Sequence, residues 1–313
     1  MFATSTTVAR RKAVRAGIAT AAIGAVTLGV AAPSAGATSV PPSSDGDVVV
    51  LDAGDLSQPV DLGARPAAGT AATNTSVSSV TGTLAVTGEQ EQNVDLDVVT
   101  TVVESAHVTA SDESGVTIRR RVESYDVTDN SSEDGAGESF ASDEELAELV
   151  GVDLDYLFGP DNRLQDVVPA DGVEVTDEQL AAIDEVIADG IDKAGLPAEP
   201  VGVGAQWTAT LPGTNGGAAI EATYTLVSFA DGQYTVEVSA AGDAASLYGD
   251  DLPRGFDEAS GTIAGTGTLV GSVDEPLVRS VELELDLDVT LTGPTTEMTM
   301  NLTMTESEVS ATA

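Results

Sequence analysis

The chain contains no cysteine. That absence removes four chemistries together: a disulfide framework, a thiolate metal site, a cysteine nucleophile and a lipid-modified N-terminal cysteine. The fold has to hold by packing and hydrogen bonds alone. Histidine is almost as scarce, with His107 the single one. A Ser-His-Asp triad would have to use it, yet it lies in Glu104-Ser105-Ala106-His107-Val108, and no Gly-x-Ser-x-Gly elbow occurs. We read His107 as a surface or sheet-edge residue. Bases are few as well. The 52 acidic residues face 12 basic ones, and four of those, Arg10, Arg11, Lys12 and Arg15, fall in the first 37 residues, which hold no acid. Beyond Ala37 the count is 52 against 8, a net of -44 on 276 residues. A body of that sign repels nucleic acid and anionic lipid, and its one basic cluster is Arg119-Arg120-Arg121. Aromatics are also sparse: beyond Ala37 there are one Trp, five Tyr and four Phe. An extracellular hydrolase working with paired carboxylates, the alternative from the enzyme class, would have to build its sugar platform from Trp207, Tyr156 and Phe158.

What the N-terminus does have is the order of a secretory leader. A basic region at Arg10 to Arg15 precedes an uncharged run from Ala16 to Ala32, and Ala35-Gly36-Ala37 fits the small-x-small cleavage rule. Residues 1–37 are read as a signal peptide, and the mature chain is expected to begin at Thr38. No later segment approaches 18 apolar residues, so no stable membrane span is expected after cleavage. The body is placed outside the cell or in the envelope.

Residues 38–75, rich in Ser, Pro, Gly, Ala and Asp, read as a linker with one strand-like run at Val48-Val49-Val50-Leu51. A single domain is expected over 76–305, with a short tail at 306–313. Its first β block, 76–128, holds runs at Val77 to Thr87, Val94 to Glu104 and Val116 to Val127, and a change of apolar parity predicts a bulge near Glu123. In the middle, Ser142-Asp143-Glu144-Glu145 and Thr176-Asp177-Glu178-Gln179 have the form of capping boxes. The second is followed by Leu180, Ile183, Ile187 and Ile191 at helical spacing and by Gly195 and Pro197, which predicts helical structure over 142–195. In the second β block, 206–305, Asp231-Gly232 predicts a hairpin, and Val281 to Leu291 alternate strictly with acids and Thr290, the pattern of an antiparallel strand with one covered face. The expected fold class is α+β: one large, curved, half-barrel-like antiparallel sheet with a central helical segment packed over one face.

The segment Pro197-Ala198-Glu199-Pro200-Val201-Gly202-Val203-Gly204-Ala205-Gln206-Trp207, followed by Tyr224-Thr225-Leu226, resembles an uncharacterised family of secreted bacterial proteins. In that family a Pro-Val-x-x-Gly-x-x-Trp segment leads into antiparallel strands. The layout is also similar to the lipoprotein-carrier and mycobacterial lipid-binding lipoprotein group, whose curved sheet cradles apolar ligand. This chain lacks their modified cysteine, so the resemblance implies a soluble carrier.

Two features suit a ligand. Met298, Met300, Leu302 and Met304 alternate with Thr299, Asn301 and Thr303, placing three of the four methionines on one strand face; with Trp207 they are the candidate ligand-binding residues. The small-residue run Gly261 to Thr268 would allow the sheet to bend. Ordinary core filling under the helices is the competing account of the same methionines, and the one the pattern alone favours. No cofactor is implied. Calcium is the one ion that the composition suits, with Asp129, Glu133 and Asp134 as loop ligands, although counting from Asn130 puts Gly135 sixth and Ala141 twelfth, where an EF-hand needs Glu. The expected function is a secreted, acidic, non-enzymatic binding protein for an apolar small molecule or lipid, with no nucleic-acid partner. The other alternative is a structural acidic surface or envelope protein.

Overall fold

The computed structural model describes residues 48–63, 65–88, 91–133, 147–159, 164–176, 179–180, 196–197, 199–211, 220–248, 252 and 255–312. Its named elements are twelve strands and one 3-10 turn, Ala244–Tyr248. The strands are β1 (Val49–Asp52), β2 (Ala71–Gly88), β3 (Gln92–Asp112), β4 (Gly115–Asp129), β5 (Asp153–Phe158), β6 (Leu164–Pro169), β7 (Gln206–Leu211), β8 (Ile220–Ala230), β9 (Gln233–Asp243), β10 (Glu258–Ser272), β11 (Ser280–Thr292) and β12 (Thr296–Thr312). They form one sheet, in the order β1-β7-β8-β9-β10-β11-β12-β2-β3-β4-β5-β6, with every neighbouring pair antiparallel.

Most neighbours are also neighbours in sequence, as short turns between Val- and Thr-rich runs dictate. The β8–β9 hairpin turns at Asp231 (φ 53°) and Gly232 (φ 78°), two left-handed residues that match the right-handed twist of the strands. One non-local pairing joins the two β blocks: β12 lies beside β2 from Thr296↔Gly88 to Thr312↔Ala72. The bulge falls at Glu123, where the register passes from Val103↔Ser124 to Glu104↔Val122. Both ends of the domain reach further than expected. β2 begins at Ala71, β1 pairs with β7, and β12 runs on through the residues read as a tail.

The α+β expectation is overturned. Among the described residues no helix lies over the sheet, and the stretch expected to be helical contains the β5–β6 hairpin. Asp153-Leu154-Asp155-Tyr156 alternates with period two, and β4 offers an edge on which Leu154 and Tyr156 can be buried. That edge outweighs the local helix signals. The box at Thr176 does form: the Gln179 amide donates to Thr176 Oγ1 (3.2 Å), and the Thr176 amide donates to Gln179 Oε1 (3.0 Å). The helical residues expected at Ser142 to Leu146 and at Ile183, Ile187 and Ile191 lie outside the described residues.

One face of the sheet turns inward and is largely dry. Val94, Leu96 and Val98 of β3, Val281, Leu287 and Leu291 of β11, and Tyr234 and Val236 of β9 all belong to one buried cluster. The loop residues Val60, Leu62, Leu196 and Val201 and the turn residues Ala244 and Tyr248 close over it. A second cluster collects Val102, Val122, Leu149, Val152, Leu154, Tyr156 and Val167 at the β4–β5–β6 end.

Gly82 sits where β2 crosses close to β12. Its φ is +148°, and a Cβ there would stand 2.0 Å from the Asn301 carbonyl oxygen. Gly82→Ala is therefore expected to cost about 2–3 kcal/mol from backbone strain and forced strand separation. Gly69→Ala, also at positive φ (+90°) but with nothing within 4 Å, serves as the control and should lose less. Urea midpoints of the two variants check this; equal losses would show that the crowding against β12 does not matter.

Candidate functional site

The inward face of β12 changes character along its length. Met298, Met300, Leu302 and Met304 are 1–3% exposed, but the next inward positions, Glu306, Glu308 and Ser310, are polar and half-buried. The neighbouring strand changes at the same level, from Leu84 and Val80 to Ser78, Ser76 and Asn74. One register row crosses this zone as Gly267, Leu283, Glu306, Ser78 and Thr100. On β11, Leu283 and Leu285 are only half-buried, while Val281 and Leu287 on either side are enclosed. Both leucines lean over β10: a Cβ on Gly265 would lie 2.6 Å from a Leu285 methyl, and one on Gly267 would lie 2.1 Å from a Leu283 methyl. The missing side chains make that room. The interruption is thus amphipathic, with leucines over glycines on one side and carboxylates and hydroxyls on the other.

Arg120 completes the polar side. Ile118 and Val122, two residues away on β4, are buried, so strand parity directs Arg120 inward as well. Its guanidinium forms an ion pair with Glu104 of β3 and lies 5.0 Å from the centroid of the Tyr156 ring. The side chains of Arg120 and Glu104 are 19% and 12% exposed. Burial works against the arginine's charge, but the Glu104 carboxylate and the Glu308 charge beyond it hold the guanidinium well above its ordinary value. Arg119 and Arg121 have the opposite parity. Arg119 makes a two-pronged contact with Asp155 (2.9 and 2.8 Å), and Arg121 lies 3.5 Å from both Glu123 and Asp153. Each arginine of the one basic cluster therefore has a carboxylate beside it.

The candidate ligand residues are brought together, but inside. Met298, Met300, Leu302 and Met304 face Leu291, Val289, Leu287 and Leu285 on one side and Val86, Leu84, Gly82 and Val80 on the other. Trp207 is fully enclosed and stacks on Tyr224, with centroids 5.7 Å apart and planes 4° from parallel. Enclosed in this way, it offers no platform for a sugar ring. His107 is exposed, paired in register with Arg119. Asp129 Oδ1 accepts from the Ser131 amide and Glu133 Oε2 from Gln92 Nε2, while Asp134 lies outside the described residues. Among the described residues there is no group of three or more side chains placed to hold a metal ion. Glu104, Glu306 and Glu308 were not singled out from the sequence, and Arg120 was read there only as part of the basic cluster. Their signal was parity: Glu104 and Arg120 are polar at inward positions between apolar inward neighbours, and Glu306 begins the polar end of the inward row of β12, which Glu308 continues.

Burial also sets the response to alkali. The hydroxyls of Tyr156, Tyr224 and Tyr248 are each pushed up to about 12 by burial, Tyr156 with a partial offset from Arg120, and Tyr234 is raised further for the same reason. The unfolded chain ionises these groups near 10. Their contribution is complete below that pH and is lost as pH rises toward the folded values, because the unfolded state releases protons first. Tyrosinate absorbance should therefore rise together with loss of β-sheet circular dichroism between about pH 10 and 12. Free titration near pH 10 with the fold intact would contradict the burial.

No protein-family model matches this chain, and no curated protein does. Among solved structures it is similar to lipovitellin, in a structure described by its lipid-protein interactions, with a TM-score of 0.44 and 10% identity over 78% of this chain and 25% of that one. This chain thus spans about a quarter of lipovitellin's length. It also aligns with DynF from the dynemicin biosynthesis pathway of Micromonospora chersina, with a TM-score of 0.16 and 12% identity over 90% of this chain and 89% of the other. At these scores neither likeness carries a function across.

Proposed function

We propose that this chain is a secreted, non-enzymatic binding protein that carries an apolar small molecule or lipid on the inward face of its sheet. The observation that carries the reading is the half-buried Leu283–Leu285 pair over Gly265 and Gly267, an apolar surface that solvent reaches within an otherwise dry row. Apolar surface left partly wet is where burying a ligand gains free energy. The adjoining Glu306, Ser78 and Thr100 give that surface a polar border able to orient an occupant. The leader-like N-terminus and the absence of cysteine support export as a soluble chain.

The test uses the neutral dye N-phenyl-1-naphthylamine and native mass spectrometry of the mature protein. The wild type should enhance the dye's fluorescence or retain co-purified lipid. Leu285→Asn should weaken dye binding about tenfold, the loss of roughly 1.4 kcal/mol of apolar contact, with a small change in melting temperature. A wild type that binds neither dye nor lipid overturns the proposal.

A further inference from the structure

The exposed apolar residues are not spread evenly over the molecule. Val49, Val50 and Leu51 of β1, Leu56, Val203 and Val227 are between 39% and 61% exposed, and backbone pairing places their segments side by side at one end of the sheet. Backbone hydrogen bonds tie the corner together: the Asp55 amide donates to the Val203 carbonyl, Gly202 to Ala53, and Gly204 to Leu226, the residue before Val227. Among the described residues β1 is the terminal strand of the sheet and has one strand neighbour, β7. All four of its residues are exposed, and it has neither a lysine nor a proline to discourage pairing. An apolar patch beside a strand edge is the geometry that accepts an added strand, with main-chain hydrogen bonds supplying affinity and side chains supplying register.

The charge around the patch selects the occupant. Segments 48–62 and 199–230 contain Asp52, Asp55, Asp61, Glu199 and Glu221 and no lysine or arginine. A second copy of this chain would bring the same carboxylates against themselves. An extended segment with alternating apolar residues and basic flanks would meet both the apolar centre and the acidic rim. We infer that the β1 edge, with Leu56, Val203 and Val227, is a docking site for an extended, positively flanked segment of a partner protein, which pairs with β1 as a thirteenth strand. The inference is independent of the carrier reading, which concerns the inward face.

The mature protein can be titrated with the peptide Lys-Lys-Val-Thr-Val-Thr-Val-Lys-Lys, read by fluorescence anisotropy, with backbone amide exchange followed at Val49–Asp52. Binding is expected, with slowed exchange in that strand. Leu51→Lys should weaken it at least about tenfold. Val309→Lys, the same charge change at an equally exposed residue away from the corner (both 61%), should leave it within about twofold. Equal losses in the two variants would mean that the -44 body merely attracts any cation, and the inference fails. It fails too if the peptide does not bind, or if sedimentation shows a wild-type dimer that Leu51→Lys dissolves, since the occupant is then a second copy.

Discussion

Met300→Asp should be unfolded, or close to it, in buffer where the wild type is fully folded. Met300 is 1% exposed and lies in register between Val289 of β11 and Leu84 of β2, so a carboxylate there meets no cation and no donor across either strand. Burying an uncompensated charge costs several kcal/mol even after relaxation, and the lost thioether packing adds about 2 kcal/mol or more. Domain stabilities are of order 5–15 kcal/mol, so one such change consumes most of the margin. Met300→Leu keeps the volume and should cost less than about 1.5 kcal/mol, which separates charge from shape. Circular dichroism melts of the two variants decide it. If Met300→Asp stays cooperatively folded, the methionine row borders ligand space instead of dry core.

The sheet was legible wherever alternation was long and uninterrupted. Val281 to Leu291 read as an antiparallel strand with one covered face, Asp231-Gly232 as a hairpin, and the parity change before Tyr125 as the bulge at Glu123; each depends on contacts within a few residues or between adjacent strands. The pairing of β12 with β2 was legible only as two β blocks able to share a sheet, since nothing local specifies which strand meets which. The β5–β6 hairpin was missed for a related reason. Asp153 to Phe158 is six residues long, and the neighbouring capping boxes signalled helix; only the waiting edge of β4 makes the period of two decisive. At the candidate site, the methionine row was visible as a pattern, but whether it faced a cavity or a packed interior depends on strands far away in sequence. Arg120 read as one of three arginines in a basic cluster. Its inward direction follows from the register of Ile118 and Val122, which becomes evident once β4 is known to be covered on that side.

Arg120→Met is expected to cost about 3–5 kcal/mol, because it removes the cation and leaves the Glu104 carboxylate uncompensated among Val102, Ala106 and Tyr156. The loss is not the strength of an attraction in water. Most of it is the penalty of keeping one charge in a poorly solvated place after its partner has gone. One consequence distinguishes that account from simple loss of packing. Arg120→Met/Glu104→Gln should recover a large part of the deficit, since the second change removes the orphaned charge, and the two effects should be strongly non-additive. Urea denaturation of the four proteins of the cycle at pH 7.5 gives the readout. A single variant that loses under about 1 kcal/mol, or a double variant whose losses simply add, would place the pair in solvent-screened surroundings and remove it as the anchor of the polar zone.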